Sequence, residues 1–185
     1  AAGLWMKIPA ELSSRVLGTL CGILTMLYCA TVLRRTFEKK ESLWESLPAW
    51  ILAGIPGYAC WSSGGLETQL FALLCMVSLG QYLHATVDEE SGQNPRLWTI
   101  GIPIGLAALT RPEGYLLFAL LALHRLLRKL QKRELVPTKQ ELGLLLLFLL
   151  LTVPHLAWRR WYYGYFVPNT FYIKSSGGRA AWQQG

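Results

Sequence analysis

The chain has 185 residues, of which 52% are hydrophobic and only 16% charged, and it carries eight Trp. That balance excludes an ordinary soluble domain, which would need more polar surface to cover its core. The formal net charge of +7 does not read as a nucleic-acid surface, because most Lys and Arg fall in short loops between apolar blocks, where they orient a protein in a bilayer.

The opening stretch from Leu4 to Leu12 mixes Trp5, Lys7 and Glu11 with aliphatic residues. It reads as an interfacial amphipathic segment, residues 1–14, lying on the membrane before the first span. Six apolar blocks follow, at residues 16–33, 48–61, 66–85, 97–110, 115–127 and 142–158. The first, third and last are long enough to span at 1.5 Å per residue. The others are short, since ~14 helical residues cover only about 21 Å. They are expected to span with the help of flanking polar turns; re-entrant half-spans are the alternative. The expected fold is therefore all-α, a polytopic transmembrane bundle of about six spans over residues 15–158, with an outer-face loop at 159–185. The stretch opens without an initiator Met or a secretory signal pattern, so it is expected to be a fragment of a longer protein. Cys21, Cys29, Cys60 and Cys75 lie inside apolar runs without C-x-x-C spacing, which predicts buried, reduced thiols.

Orientation follows from the loops. Arg34, Arg35, Lys39 and Lys40 form one basic cluster, and Arg125, Arg128, Lys129, Lys132, Arg133 and Lys139 a larger one. The positive-inside rule puts both in the cytoplasm. With six spans, the loop around Asp88, Glu89, Glu90 and Arg96 falls on that side too. Three polar segments are left for the outer face: Trp61 to Thr68, Leu109 to Gly114, and Arg159 to Lys174. Ionisable residues at such span ends are costly unless they are paired or used.

Each segment has a structural reading beside a functional one. Thr110-x-x-Glu113 has the form of a capping box, with Pro112 in the first turn. Gly64-x-x-Glu67 is a weaker version, with Gly as the cap. Arg111 is needed by neither, and a cation beside helix N-termini suits a phosphate; a snorkelling Arg is the alternative. An aromatic belt accounts for Trp158, Trp161, Tyr162 and Tyr163, while aromatic faces, hydroxyls and the Asn169 amide also suit a sugar. His155 could serve as an acid or base, although packing is the commoner role of such a residue. His84 and His124 look incidental. No metal site is expected, and the metalloprotease, P-loop, nucleophile-elbow and dinucleotide motifs are absent.

Taken together, Gly64-Gly65-Leu66-Glu67-Thr68, Leu109-Thr110-Arg111-Pro112-Glu113-Gly114, and Tyr162-Tyr163-Gly164 with Pro168-Asn169-Thr170 and Lys174 resemble motifs of bacterial GT-C glycosyltransferases, among them the mycobacterial terminal arabinofuranosyltransferases. The resemblance covers about residues 61–174. It implies a multispanning inverting enzyme of the bacterial cytoplasmic membrane, active on the outer face. A polyprenyl-phosphate sugar would be the donor substrate, with no separate cofactor. The acceptor would be a glycan, lipid or protein, membrane lipid would surround the chain, and nucleic acid would play no part. It further implies substrate-binding roles for Glu67, Arg111, Glu113, Arg160, Tyr163, Asn169 and Lys174. Family members carry an acidic general base, usually Asp, in the first outer loop, and no Asp here matches it. The base is therefore expected upstream of this stretch. A transporter or flippase of a lipid-linked or anionic substrate, and a non-catalytic membrane scaffold, are the rival classes.

Overall fold

The computed structural model describes residues 9–37, 46–65, 67–134 and 136–164. They form α1 (Ala10–Phe37), α2 (Leu47–Gly54), α3 (Pro56–Ser63), α4 (Thr68–Glu90), a 3₁₀ turn (Leu97–Ile100) leading into α5 (Gly101–Thr110), α6 (Glu113–Lys132) and α7 (Lys139–Tyr163). No strand occurs among the described residues. The expected all-α bundle is what the chain adopts.

Among the described residues, three helices are long and apolar enough to cross a membrane: Ala10–Arg34 within α1, Thr68–Glu90 and Lys139–Tyr163. The 97–110 block is a shorter apolar helix. Block 48–61 divides in two, because Pro56 pushes Ile55 into an extended conformation (φ −89°, ψ 110°), as a residue before proline prefers. Block 115–127 lies in α6, whose last turns carry Arg125, Arg128, Lys129 and Lys132. Residues 10–14 are the first turn of α1 and continuous with the span, so the expected interfacial segment could be separate only over residues 1–8, which lie outside the described residues. Of the outer-loop segment, residues 159–163 are helical and 165–185 lie outside the description.

Small residues let the helices approach. A Cβ on Gly18 would sit 2.7 Å from the Ser62 carbonyl oxygen, and one on Gly22 would sit 2.7 Å from Ser62 Oγ. This Gly-x-x-x-Gly face of α1 seats α3 by the close backbone contact that membrane helices use in place of a hydrophobic drive. Gly101 and Gly105 repeat the device on α5, where a Cβ would meet Leu144 O at 2.8 Å and Leu151 Cδ1 at 2.7 Å on α7. The buried core gathers Tyr82, Ala85, Leu97, Ile100, Ile104, Ala108 and Phe148, with the Phe118 ring stacked on Phe148 at 3.8 Å. Outside it, Leu17, Leu20, Leu24 and Leu27 of α1 are each about half exposed, the surface expected of a helix that meets lipid. Cys21 and Cys29 are buried as expected, but Cys60 is exposed on α3, and all four thiols are free.

The bundle has two distinct ends. At one, Arg125 bridges Glu89 of α4 and Glu141 of α7, Lys129 pairs with Glu141, and Arg128 with Glu90 at 3.0 Å. Lys132 reaches Glu89 at 3.4 Å. These pairs bring the C-terminal ends of α4 and α6 to the start of α7. Toward this paired end α6 stands off from α7 and leaves a cavity of about 440 Å³, largely apolar, below Arg125, Lys129 and Glu141. At the opposite end, Gly65 (φ +72°) turns the chain against Ser14 of α1, and Arg111 meets Phe71 of α4. The described residues of all three polar segments singled out in the sequence, 61–65 with 67–68, 109–114 and 159–164, belong to this second, open end.

Candidate functional site

The open end is built by three helix junctions. Between α5 and α6 the chain turns at Arg111, which is extended (φ −145°, ψ 142°), and Pro112 then leads into α6. The turn is tight because Gly114 lies against the end of α5, where a Cβ would come within 2.5 Å of Ala108 Cα. The glycine of this motif is thus required by packing. Thr110 and Glu113 do not form the expected capping box. Thr110 is the last residue of α5, and its hydroxyl donates to the Ala107 carbonyl at 2.8 Å, so it is turned away from α6. Gly64 likewise ends α3, while Glu67 is the residue before α4 and makes no side-chain cap. The capping box that does form is Thr138–Glu141, at the start of α7 and at the other end of the molecule.

With capping removed, Arg111 and Glu113 are left to each other and to whatever approaches. Their side chains pair at 3.5 Å and both are partly exposed. The Arg111 guanidinium also lies 5.6 Å from the centre of the Phe71 ring, a cation–π distance. This contact joins the first turn of α4 to the α5–α6 junction, so two of the three motifs meet through Arg111. Glu67 is exposed, and its carbonyl accepts from the Phe71 N–H at 2.9 Å.

The third motif arrives on α7. The helix ends at Gly164 in the left-handed region (φ +76°), the common glycine stop. Arg160 is exposed and donates from Nη1 to the Gly164 carbonyl, where its charge also favours the helix C-terminus. The arginine turned toward the bundle is its neighbour Arg159. Eleven residues bring it round to the face of buried Phe148, and its Nε is buried without a hydrogen-bond partner. It lies within electrostatic range of Tyr115, whose ring meets Phe148 at 5.9 Å and whose buried hydroxyl is likewise unpartnered. Gln69 adds a third such group: it is 2% exposed, donates from Nε2 to the Tyr58 carbonyl at 3.3 Å, and leaves Oε1 without a partner. Buried polar groups without partners are rare because each costs on the order of 1–3 kcal/mol. These three atoms leave hydrogen bonds to be made at the open end.

Tyr163 belongs to an exposed aromatic group with Trp158 and Tyr162. The Trp158 and Tyr162 rings stack at 5.6 Å, and Tyr163 stands edge-on to both. His155 touches Trp158 at 6.1 Å between rings and packs rather than facing a carboxylate. Asn169 and Lys174 lie outside the described residues. Sequence reasoning chose Arg160 over Arg159 and passed over Tyr115 and Gln69. The helical period counted from Phe148 would have selected Arg159.

The fold and these junctions define a polytopic helical membrane protein with arginines and unpartnered polar groups collected at one end. The sequence model of the dolichyl-phosphate-mannose-protein mannosyltransferase family matches residues 3–158, and the chain belongs to that family. It is thereby a membrane glycosyltransferase of the class that draws its sugar from a polyprenyl-phosphate donor. No curated protein and no solved structure matches the chain.

Proposed function

We propose that the open end holds the phosphate and sugar of the donor, and that transfer takes place on the outer face of the cytoplasmic membrane. The acceptor hydroxyl would lose its proton to a carboxylate base, and its oxygen would attack the anomeric carbon with inversion. The bond from that carbon to the phosphate oxygen breaks, and the electron pair leaves on the lipid phosphate. Cations aimed at that oxygen stabilise the charge as it develops, typically by a factor of about 10²–10³ for each preorganised donor. Arg111 and Arg159 take this role, with Lys174, which follows α7 in the sequence, as a third cation. Glu113 orients Arg111, Glu67 and Tyr115 offer hydrogen bonds to the sugar, and Tyr163 and Asn169 line the sugar or acceptor pocket. No residue of this chain is assigned as the base.

The observation that carries this reading is the unpartnered Arg159 Nε and Tyr115 hydroxyl at the end where Arg111 sits with only a partly exposed partner. The family supplies the donor class; which sugar is moved, and to which acceptor, is not fixed by these residues. The placement of transfer is tested by single cysteines at Ser63, Glu113 and Arg133 in a cysteine-free full-length protein, treated in intact cells with an impermeant thiol reagent. Labelling at Ser63 and Glu113 but not at Arg133 is expected, and the reverse pattern would remove the outer face from the proposal. The chemistry is tested by sugar transfer from a polyprenyl-phosphate donor. Arg111→Ala and Arg159→Ala should each abolish most transfer while leaving expression unchanged, and normal transfer by both would sink the reading.

A further inference from the structure

A second cavity, this one polar, lies at the paired end, about 20 Å along α4 from its first turn at the helical rise. Its volume is about 430 Å³, and it is lined by Gln81, His84 and Asp88 of α4, by Asn94 and Arg96 of the following loop, and by Thr99. Gln81, His84 and Asp88 fall on one face of the helix by their spacing of three and four. Two polar atoms here are buried without partners, Gln81 Oε1 and His84 Nε2.

The charges around it behave differently from their neighbours. Glu89, Glu90 and Glu141 are all paired with bases of α6. Asp88 and Arg96 line the same cavity, yet neither has an ion-pair partner among the described residues. A carboxylate and a guanidinium that line one pocket without pairing, beside an unsatisfied amide oxygen and imidazole nitrogen, suit a ligand carrying both signs. A neutral sugar would leave both charges unmatched. A divalent cation is disfavoured by Arg96, and among the described residues no three His, Cys, Asp or Glu side chains are grouped to hold one.

We propose that this cavity binds a phosphoethanolamine group, its ammonium on Asp88 and Gln81 Oε1 and its phosphate on Arg96 and His84 Nε2. The ammonium has three hydrogens to give, and the guanidinium favours a phosphate oxygen pair. The group belongs to an aminophospholipid. The cavity opens where α4 ends and the 3₁₀ turn begins, at the level expected of headgroups. Below Thr99, the spacing of three and seven places Ile102 and Leu106, 46% and 40% exposed, as an apolar stripe for an acyl chain. Phosphatidylcholine would fit less well, because its methylated nitrogen has no hydrogen for Asp88. Phosphatidylglycerol brings no cation at all.

The test is a native mass-spectrometry titration of the delipidated full-length protein with phosphatidylethanolamine, phosphatidylcholine and phosphatidylglycerol of matched chains, and with soluble O-phosphoethanolamine. Phosphatidylethanolamine should bind about tenfold more tightly than either other lipid, the size of one lost charge-assisted hydrogen bond. Asp88→Asn should erase that preference while phosphatidylcholine binding, the control for folding, stays unchanged, and Arg96→Gln should weaken all three lipids together, because they share the phosphate. Glu90→Gln, whose ion pair lies outside the cavity, should keep the preference. Equal binding of the three lipids, an unaltered preference in Asp88→Asn, or unchanged lipid binding in Arg96→Gln would overturn the proposal. Soluble phosphoethanolamine binding as tightly as the lipid would overturn the lipid as the source.

Discussion

The two ends of this bundle carry similar residue types and use them in opposite ways. At the paired end, Arg125, Arg128, Lys129 and Lys132 are matched to Glu89, Glu90 and Glu141 across three helices. At the open end, Arg111 has one partly exposed partner, and Arg159, Tyr115 and Gln69 keep buried atoms unsatisfied. Partly buried charges that satisfy one another fasten helices and have little left to offer a ligand. Groups held in place without partners cost stability and are ready for one. The comparison thus separates the ends by ion pairing, where composition would have treated both as clusters of charge. Buried atoms without hydrogen-bond partners occur at both, and at the paired end they include Arg128 Nη1, Gln140 Oε1 and Thr86 Oγ1. Asp88 and Arg96, which line a cavity there, are the exception to that ion pairing within the paired end.

The comparison breaks first if the open-end cations prove dispensable. Arg111→Ala should lower the rate of sugar transfer by about 10²–10³-fold, measured with the full-length enzyme, with little change in its melting temperature. The paired end should respond in the opposite sense. Arg125→Met leaves Glu89 and Glu141 each short of a partner in a region where Arg125 is only 13% exposed. A loss of about 2–3 kcal/mol is expected, seen as a fall in the apparent melting temperature in nanodiscs, larger than that of the exposed Arg133→Ala. Gly114→Ala probes the junction that positions the open end. Its methyl meets the Ala108 backbone, so about 1–3 kcal/mol of overpacking is expected, with a loss of transfer that follows the opening of the α5–α6 turn. Glu113→Gln removes one partly exposed ion pair and should slow transfer by no more than about fivefold. The smallest effect sharpens the choice between adjacent arginines: Arg160→Ala should change transfer by less than about twofold, in contrast to Arg159→Ala.

Much of this arrangement was legible in the residues. Apolar blocks located the helices, and the alternation of loops put residues 61–68, 109–114 and 159–164 at one end. The Gly-x-x-x-Gly spacing at Gly18 and Gly22 was passed over in the sequence, and the structure shows it seating α3. Other readings failed for local reasons. The Thr110–Glu113 and Thr138–Glu141 sequences carry the same capping signature, yet only the second forms. Helix α5 continues through Thr110, whose hydroxyl turns back to the Ala107 carbonyl of its own helix. His84 looked incidental because the loop that closes its cavity lies ten residues further on and shows no motif of its own.

The sequence alone determined what every residue must do by itself. Long apolar runs must form helices, since lipid offers backbone groups no other partner. Pro56 must interrupt one of them, and charges must gather at span ends. Helix rotation, by contrast, is set by contacts between elements. Neighbours along a helix point about 100° apart, so a small rotation decides whether Arg159 or Arg160 faces the bundle. The same contacts decided that Glu89 pairs while Asp88, one residue earlier, lines a cavity. Which charges are matched and which are left for a ligand is a property of packed helices, and only the tertiary structure could settle it.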